Sequence, residues 1–153
     1  MTSPSARLRE LGLSLPSVAA PAGSYVPARR SGALVFTAGQ LPLVDGTLAA
    51  TGKVGAEVSP ELGNDLARTC TLNALAAVDA LVGLDAVAGV VKVVGFVASA
   101  SDFTGQPGVV NGASELLGEV LGDKGVHARS AVGVAVLPLD APVEVEIQVE
   151  LVP

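Results

Sequence analysis

One arginine and a row of carboxylates stand near the C-terminus of this chain, in the stretch His127 to Glu150 that reads HARSAVGVAVLPLDAPVEVEIQVE. A guanidinium is permanently charged and meets a carboxylate with two parallel N–H donors, so Arg129 is the foremost candidate to hold an anionic ligand. A structural ion pair with a glutamate of the last strand is the competing explanation. Glu144 is the candidate proton carrier, because a carboxylate near an apolar cleft has its pKa moved toward neutrality and can exchange protons with water. An alternating Glu strand is ordinarily a solvated face, however, and nothing local separates Glu144 from Glu146. His127, the only histidine, stands two positions before Arg129 and could act as a base near neutral pH, although a lone histidine is more often incidental. Tyr25, the only tyrosine, is either a cleft residue or an amphipathic residue at a subunit seam. Gly39 could let a ligand approach the backbone, or could simply serve a turn. Asn111 lies off the apolar stripe of its predicted helix, which suits a solvent role equally well.

The elements that must position these residues follow from periodicity. Side chains alternate along a strand with period two, so Ser130, Val132, Val134 and Val136 share one face and Arg129, Ala131, Gly133, Ala135 and Leu137 the other. In the last strand Val143, Val145, Ile147, Val149 and Leu151 form an apolar row opposite Glu144, Glu146, Gln148 and Glu150. Reading the two strands as a hairpin with its tip at Asp140-Ala141, the two valine rows share one buried face, and Arg129 and Glu144 look out from the other. Leu137 would then face Glu144, with Arg129 eight residues away, roughly 25 Å at about 3.3 Å per residue. A site using both would need a second subunit, and the face bared by Ala131, Gly133 and Ala135 would suit close approach by another chain.

Upstream, residues 1 to 22 read as a leader with a short helix at Ser5 to Leu11, and residues 23 to 153 as a single domain. Tyr25 to Ala28 and Ala33 to Ala38 read as strands about a polar turn, and Asp45-Gly46 as a second turn. Ser59-Pro60-Glu61 is a helix start, and Leu62, Leu66, Cys70, Leu75, Val78 and Val82 give an amphipathic helix that Gly83 ends. Val90 to Ser99 is apolar on both faces except at Lys92 and reads as a central strand. A second helix runs from Pro107 to Leu121, with Val109, Val110, Ala113, Leu116, Leu117 and Val120 on its core stripe. This order predicts an α+β layer: one mixed sheet with two long helices over one face.

Bulk properties narrow the function. The chain has 153 residues, half of them apolar and only 3% aromatic, so its core must gain burial from many close contacts among small side chains, and from oligomerisation. A net charge of −6 with nine Lys and Arg in all argues against nucleic acid as a partner. The single cysteine excludes an internal disulfide and fits a reducing cytoplasm. Arg7, Arg9 and Glu10 interrupt any signal-like apolar run, and Val87 to Ala98 is too short for a bilayer, so neither secretion nor membrane insertion is expected. There is no phosphate-binding loop, dinucleotide fingerprint or paired-histidine metal motif, and nothing calls for a metal or cofactor.

Several of these segments, in order, carry a resemblance. Gly23-Ser24-Tyr25-Val26, Leu34 to Pro42 (LVFTAGQLP), Val91 to Phe103, Asn111 and the C-terminal segment from Arg129 together resemble the Rid family, also called the YjgF family, over about Ser24 to Leu151. The resemblance implies the chorismate-mutase-like fold, three subunits joined through their sheets, and hydrolysis of reactive enamine or imine intermediates (2-imino acids) to 2-keto acids and ammonia. It also implies roles. Arg129 would hold the substrate's carboxylate and Glu144 would position or activate a water, while Tyr25, Gly39, Asn111 and the backbone N–H of Ala131 would line an intersubunit cleft. His127 and Ala131 stand where typical deaminase members have proline and cysteine, which marks a divergent subgroup. Two other readings share this scaffold: a non-catalytic module that binds small carboxylates, and an endoribonuclease, which the acidic charge disfavours.

Overall fold

The computed structural model describes residues 2–153. A short helix α1 (Pro4–Glu10) leads to β1 (Ala28–Ser31) and β2 (Leu34–Thr37), then a small hairpin of β3 (Leu43–Val44) and β4 (Thr47–Leu48). Helix α2 (Pro60–Val82), β5 (Val87–Ala98), helix α3 (Gln106–Leu121), β6 (Ala128–Val134) and β7 (Val143–Leu151) follow. Five strands form one mixed sheet in the order β1-β2-β7-β5-β6, with β6 parallel to β5 and the other pairs antiparallel. Both long helices pack on one face of it.

Local chemistry explains the helices. Ser59 caps α2 by accepting from the Leu62 N–H at 3.1 Å, Pro60 occupies its first turn, and Gly83 ends it at φ 82°. Its buried face is broader than the expected stripe: Ala67, Ala74 and Ala77 join Leu66, Cys70, Leu75 and Val78, while Leu62 is exposed. Asn73, buried in this face, donates from Nδ2 to the Leu41 and Leu43 carbonyls, both at 3.0 Å, and so ties the β3 approach to the helix. Asp45 and Gly46 both adopt positive φ, the geometry a two-residue hairpin turn requires. In α1, Leu8 is buried in the main core.

The core is compact because small residues let backbones approach. A Cβ on Gly95 of β5 would lie 2.5 Å from a Val110 methyl of α3, and one on Gly112 would collide with the Asn64 carbonyl of α2. Leu75, Leu84, Leu116, Leu117 and Ile147 are the largest fully buried side chains, each contributing about 1.5–3 kcal/mol.

The C-terminal pair departs from the expected hairpin. Strand β6 ends at Val134, and β5 lies between β6 and β7. Val93 pairs with Arg129 on one side and Ile147 on the other; Phe96 pairs with Val132 and Glu144. Paired residues share a face, so Arg129, Ala131 and Gly133 lie on the helix side with Ile147, Val145 and Val143. Ser130, Val132 and Val134 share the opposite, helix-free face with Glu146 and Glu144. The expectation that the valine rows share one buried face, with Arg129 and Glu144 together on the other, is therefore overturned. An intervening strand, parallel on one side and antiparallel on the other, sets the relative phase of β6 and β7, and a hairpin reading cannot supply that phase.

Replacing Gly112 by Ala should destabilise the fold by about 1–3 kcal/mol, because it forces α2 and α3 apart. Gly118→Ala on the same helix meets nothing within 4 Å and should stabilise by about 0.4–1 kcal/mol. Urea denaturation of the two variants checks this opposite pair of signs.

Candidate functional site

The candidate residues gather in two groups on opposite faces of the sheet. The first is built on the helix side, where edge strand β6 meets the first half of α3. Pro107, Asn111 and Ser114 recur at intervals of four and three, which places them on one helix stripe. Arg129 Nη1 donates to Asn111 Oδ1 at 2.8 Å and to Ser114 Oγ at 3.2 Å, while Nη2 donates to the Pro107 carbonyl at 3.3 Å. Its salt bridge with a β7 glutamate does not form: among the described residues the ion pairs are Arg7 with Glu10, Lys53 with Asp140 and Arg68 with Glu119. A guanidinium has five N–H donors, and these bonds use three, leaving Nε–H and one Nη2–H. Two donors on adjacent nitrogens match the two oxygens of a carboxylate.

Strand β6 adds a backbone donor. Val134 accepts from the Ser99 N–H of the segment leaving β5, at 3.0 Å. Backbone groups alternate direction along a strand, so the N–H groups of Ala131 and Gly133 point off the free sheet edge. His127 also belongs to this group, with Nε2 2.8 Å from Ser114 Oγ and Nδ1 2.6 Å from the Gly125 carbonyl. Sequence reading missed Ser114. Its signal was the Asn111–Ser114 spacing, which puts two short polar side chains on one stripe of the helix.

The second group lies on the helix-free side. After β2 the chain breaks its ladder: Thr37 Oγ1 accepts from the Ile147 N–H at 3.0 Å, and pairing resumes where Gln40 and Val145 exchange both bonds at 2.8 and 3.0 Å. The irregularity carries Gly39 over β7, so that a Cβ there would collide with the Glu144 carboxylate. Gly39 has no positive φ; its missing side chain makes room for Glu144, and neither a turn nor a ligand is needed to explain it. Tyr25 and Gly39 line a small cleft of about 60 Å³ with Leu41 and Leu139, and the half-exposed Tyr25 accepts from the Ala22 N–H at 3.1 Å.

Glu144 is partly buried, and burial, reinforced by the neighbouring Glu146, raises its carboxyl above the ordinary range. Burial and the Glu144 charge likewise push up the enclosed Cys70 thiol, which suits a packing residue. No cluster of His, Cys, Asp and Glu among the described residues could hold a metal ion, and no helix of theirs is long and apolar enough to cross a membrane.

Residues 5–151 match the family described as "YjgF/chorismate_mutase-like, putative endoribonuclease". The chain belongs to this family. A curated relative, protein TCP17 of Trypanosoma cruzi, is 46% identical over 148 residues, spanning 95% of this chain and 92% of that one. The crystal structure of a "putative endoribonuclease" from Shewanella oneidensis MR-1 superposes with a TM-score of 0.93 at 33% identity, covering 97% of this chain and 99% of the other. Escherichia coli TdcF with bound serine gives 0.66 at 27% identity, covering 91% and 96%. The first structure is thus much nearer in shape than TdcF, as expected for a divergent subgroup of YjgF-like proteins.

Glu144 binds more protons folded than unfolded, so native stability falls as pH rises from the ordinary carboxylate range through its raised folded pKa. Glu144→Gln, which keeps the shape without the charge, should therefore melt higher than wild type at neutral pH. The difference should close below pH ~3, where the carboxyl is protonated in both states. Thermal melts across pH check it. Gly39→Ala should displace the carboxylate and abolish this pH dependence.

Proposed function

We propose that this YjgF-family protein hydrolyses 2-imino acids to 2-keto acids and ammonia, at sites shared between subunits of a cytoplasmic homotrimer. The observation that carries this reading is the held Arg129, which three acceptors of α3 fix in place while two of its donors stay uncommitted. Those donors and the Ala131 N–H bind the substrate carboxylate, and Asn111 keeps the guanidinium in position. Because Arg129 and Glu144 lie on opposite faces, one subunit supplies Arg129, Asn111 and Ala131, and its neighbour supplies Glu144, Tyr25 and Gly39. The helix-free sheet face supports association, since Phe36 and Val132 leave 38% and 43% of their surfaces exposed there. That TdcF has been crystallised with serine agrees with a small amino-acid-like ligand on this fold.

In this scheme the ionised Glu144 accepts a proton as water adds to the C=N carbon of the protonated imine, and returns it to nitrogen of the carbinolamine. The C–N bond then breaks, ammonia leaves, and Glu144 takes the hydroxyl proton as the C=O bond forms, passing it on to the departing ammonia. A carboxyl raised toward neutrality serves both directions of transfer. Imines hydrolyse readily in water, so orientation and proton handling suffice. An RNA substrate, suggested by the family description, fits poorly with a net charge of −6.

Imines generated with an amino-acid oxidase should disappear faster with the wild type. Arg129→Ala should lower kcat/KM by about 10²–10⁴-fold, from two lost charge-assisted hydrogen bonds of about 1.5–3 kcal/mol each. Glu144→Gln should lower kcat by about 10²–10⁴-fold with little change in KM. Arg129-dependent binding of pyruvate without any acceleration would replace the enzyme by a carboxylate-binding module. Light scattering should give three times the 15.1 kDa subunit mass, and a monomer would rule out the shared site.

A further inference from the structure

Behind Arg129 lies a hydrogen-bonded series whose direction the chemistry of its two ends fixes. Arg129 has no acceptor atom, so its 3.2 Å contact with Ser114 is a donation to Oγ. The Ser114 hydroxyl retains one hydrogen, and His127 Nε2 is 2.8 Å away. At the far side of the ring, Nδ1 lies 2.6 Å from the Gly125 carbonyl, which can only accept. Nδ1 must therefore carry the ring hydrogen, and in the neutral imidazole Nε2 is the acceptor. With the ring neutral, one arrangement satisfies every group: Arg129 donates to Ser114, Ser114 to His127, and His127 to the Gly125 carbonyl.

Both ends are braced by the same helix. Asn111 and Ser114 project from α3, and a Cβ on Gly125 would collide with the Leu117 carbonyl of α3, so Gly125 sits directly against it. Between these anchors, the turn through Gly122–Gly125 and the start of β6 carry His127 and Arg129 back along the helix.

We propose that Ser114 and His127 are positioning residues that set the pose of Arg129 for a ligand carboxylate, and that ligation at the guanidinium is felt at the His127 ring. Each neutral donor in the series is polarised by the charge ahead of it, so neutralising the guanidinium with a carboxylate weakens the pull on Ser114 and alters the bond to Nε2. The proposal rests on the carboxylate-anchoring part of the function proposed above and adds two residues to it.

His127 is the only histidine, so its two ring nitrogens give an unambiguous pair of ¹⁵N resonances. Long-range ¹H–¹⁵N correlation spectra of the labelled protein should show the Nδ1–H tautomer, with Nε2 shifting on titration with pyruvate. Ser114→Ala, a favourable helix substitution, should lose that response and weaken pyruvate binding about tenfold by calorimetry, one charge-assisted contact's worth. Ser114→Thr, which keeps the hydroxyl, should restore both. An Nε2–H tautomer overturns the series. Undiminished pyruvate affinity in Ser114→Ala, or wild-type binding that leaves the ring resonances unmoved, overturns the positioning role and leaves the carboxylate reading standing. Failure of the wild type to bind pyruvate overturns both.

Discussion

Val93 lies level with Arg129 on one side and Ile147 on the other, and the arrangement of the candidate site depends on this double pairing. Strand β5 joins a parallel neighbour to an antiparallel one, so a single register fixes the faces of both. It sends Arg129 toward α3 and Glu144 toward the helix-free side. It also leaves β6 at the sheet edge, where alternate backbone N–H groups have no strand to pair with. A cation, a neighbouring backbone donor and a separated carboxylate all follow from one strand's position.

Small side chains convert that register into contact. Gly95 lets Val110 settle on β5, and Gly112 lets α2 and α3 touch backbone to backbone. These close approaches bring the Pro107–Ser114 stripe of α3 within hydrogen-bonding reach of β6. A core built from larger residues would lift α3 from the sheet and separate Asn111 and Ser114 from the guanidinium. The scarcity of aromatics noted in the composition thus bears on the site as well as on stability.

The two groups differ in electrostatic character as well as in position. Arg129 is held by neutral acceptors and keeps its full charge toward solvent. Glu144, partly buried beside Glu146 and crowded by Gly39, holds its proton more readily than an ordinary carboxylate. Within the proposed function a permanent cation and a proton-exchanging acid are the two halves of one site, and because they are separated within one subunit that proposal requires association to unite them.

Much of this was legible in the chain itself. Ser59-Pro60 and Gly83 delimit α2 because capping and helix termination depend on a few adjacent residues. Asp45-Gly46 fixes a turn for the same reason, and Arg129 stands out by residue type, whereas Glu144 is singled out from Glu146 only by the family resemblance. What the sequence could not decide was how one strand's alternation lines up with another's. Period two states which residues of β6 share a face and which of β7 do, but their relative phase depends on whether the strands touch or flank a third. The Arg129–Ser114–His127 series depends on this phase and on the seating of α3, so it was out of reach of any local pattern. Sequence alone determined the helices and the turns, because their causes are local, and nominated the candidate groups; tertiary structure decided which of those groups meet, because β5 and α3 join residues far apart along the chain.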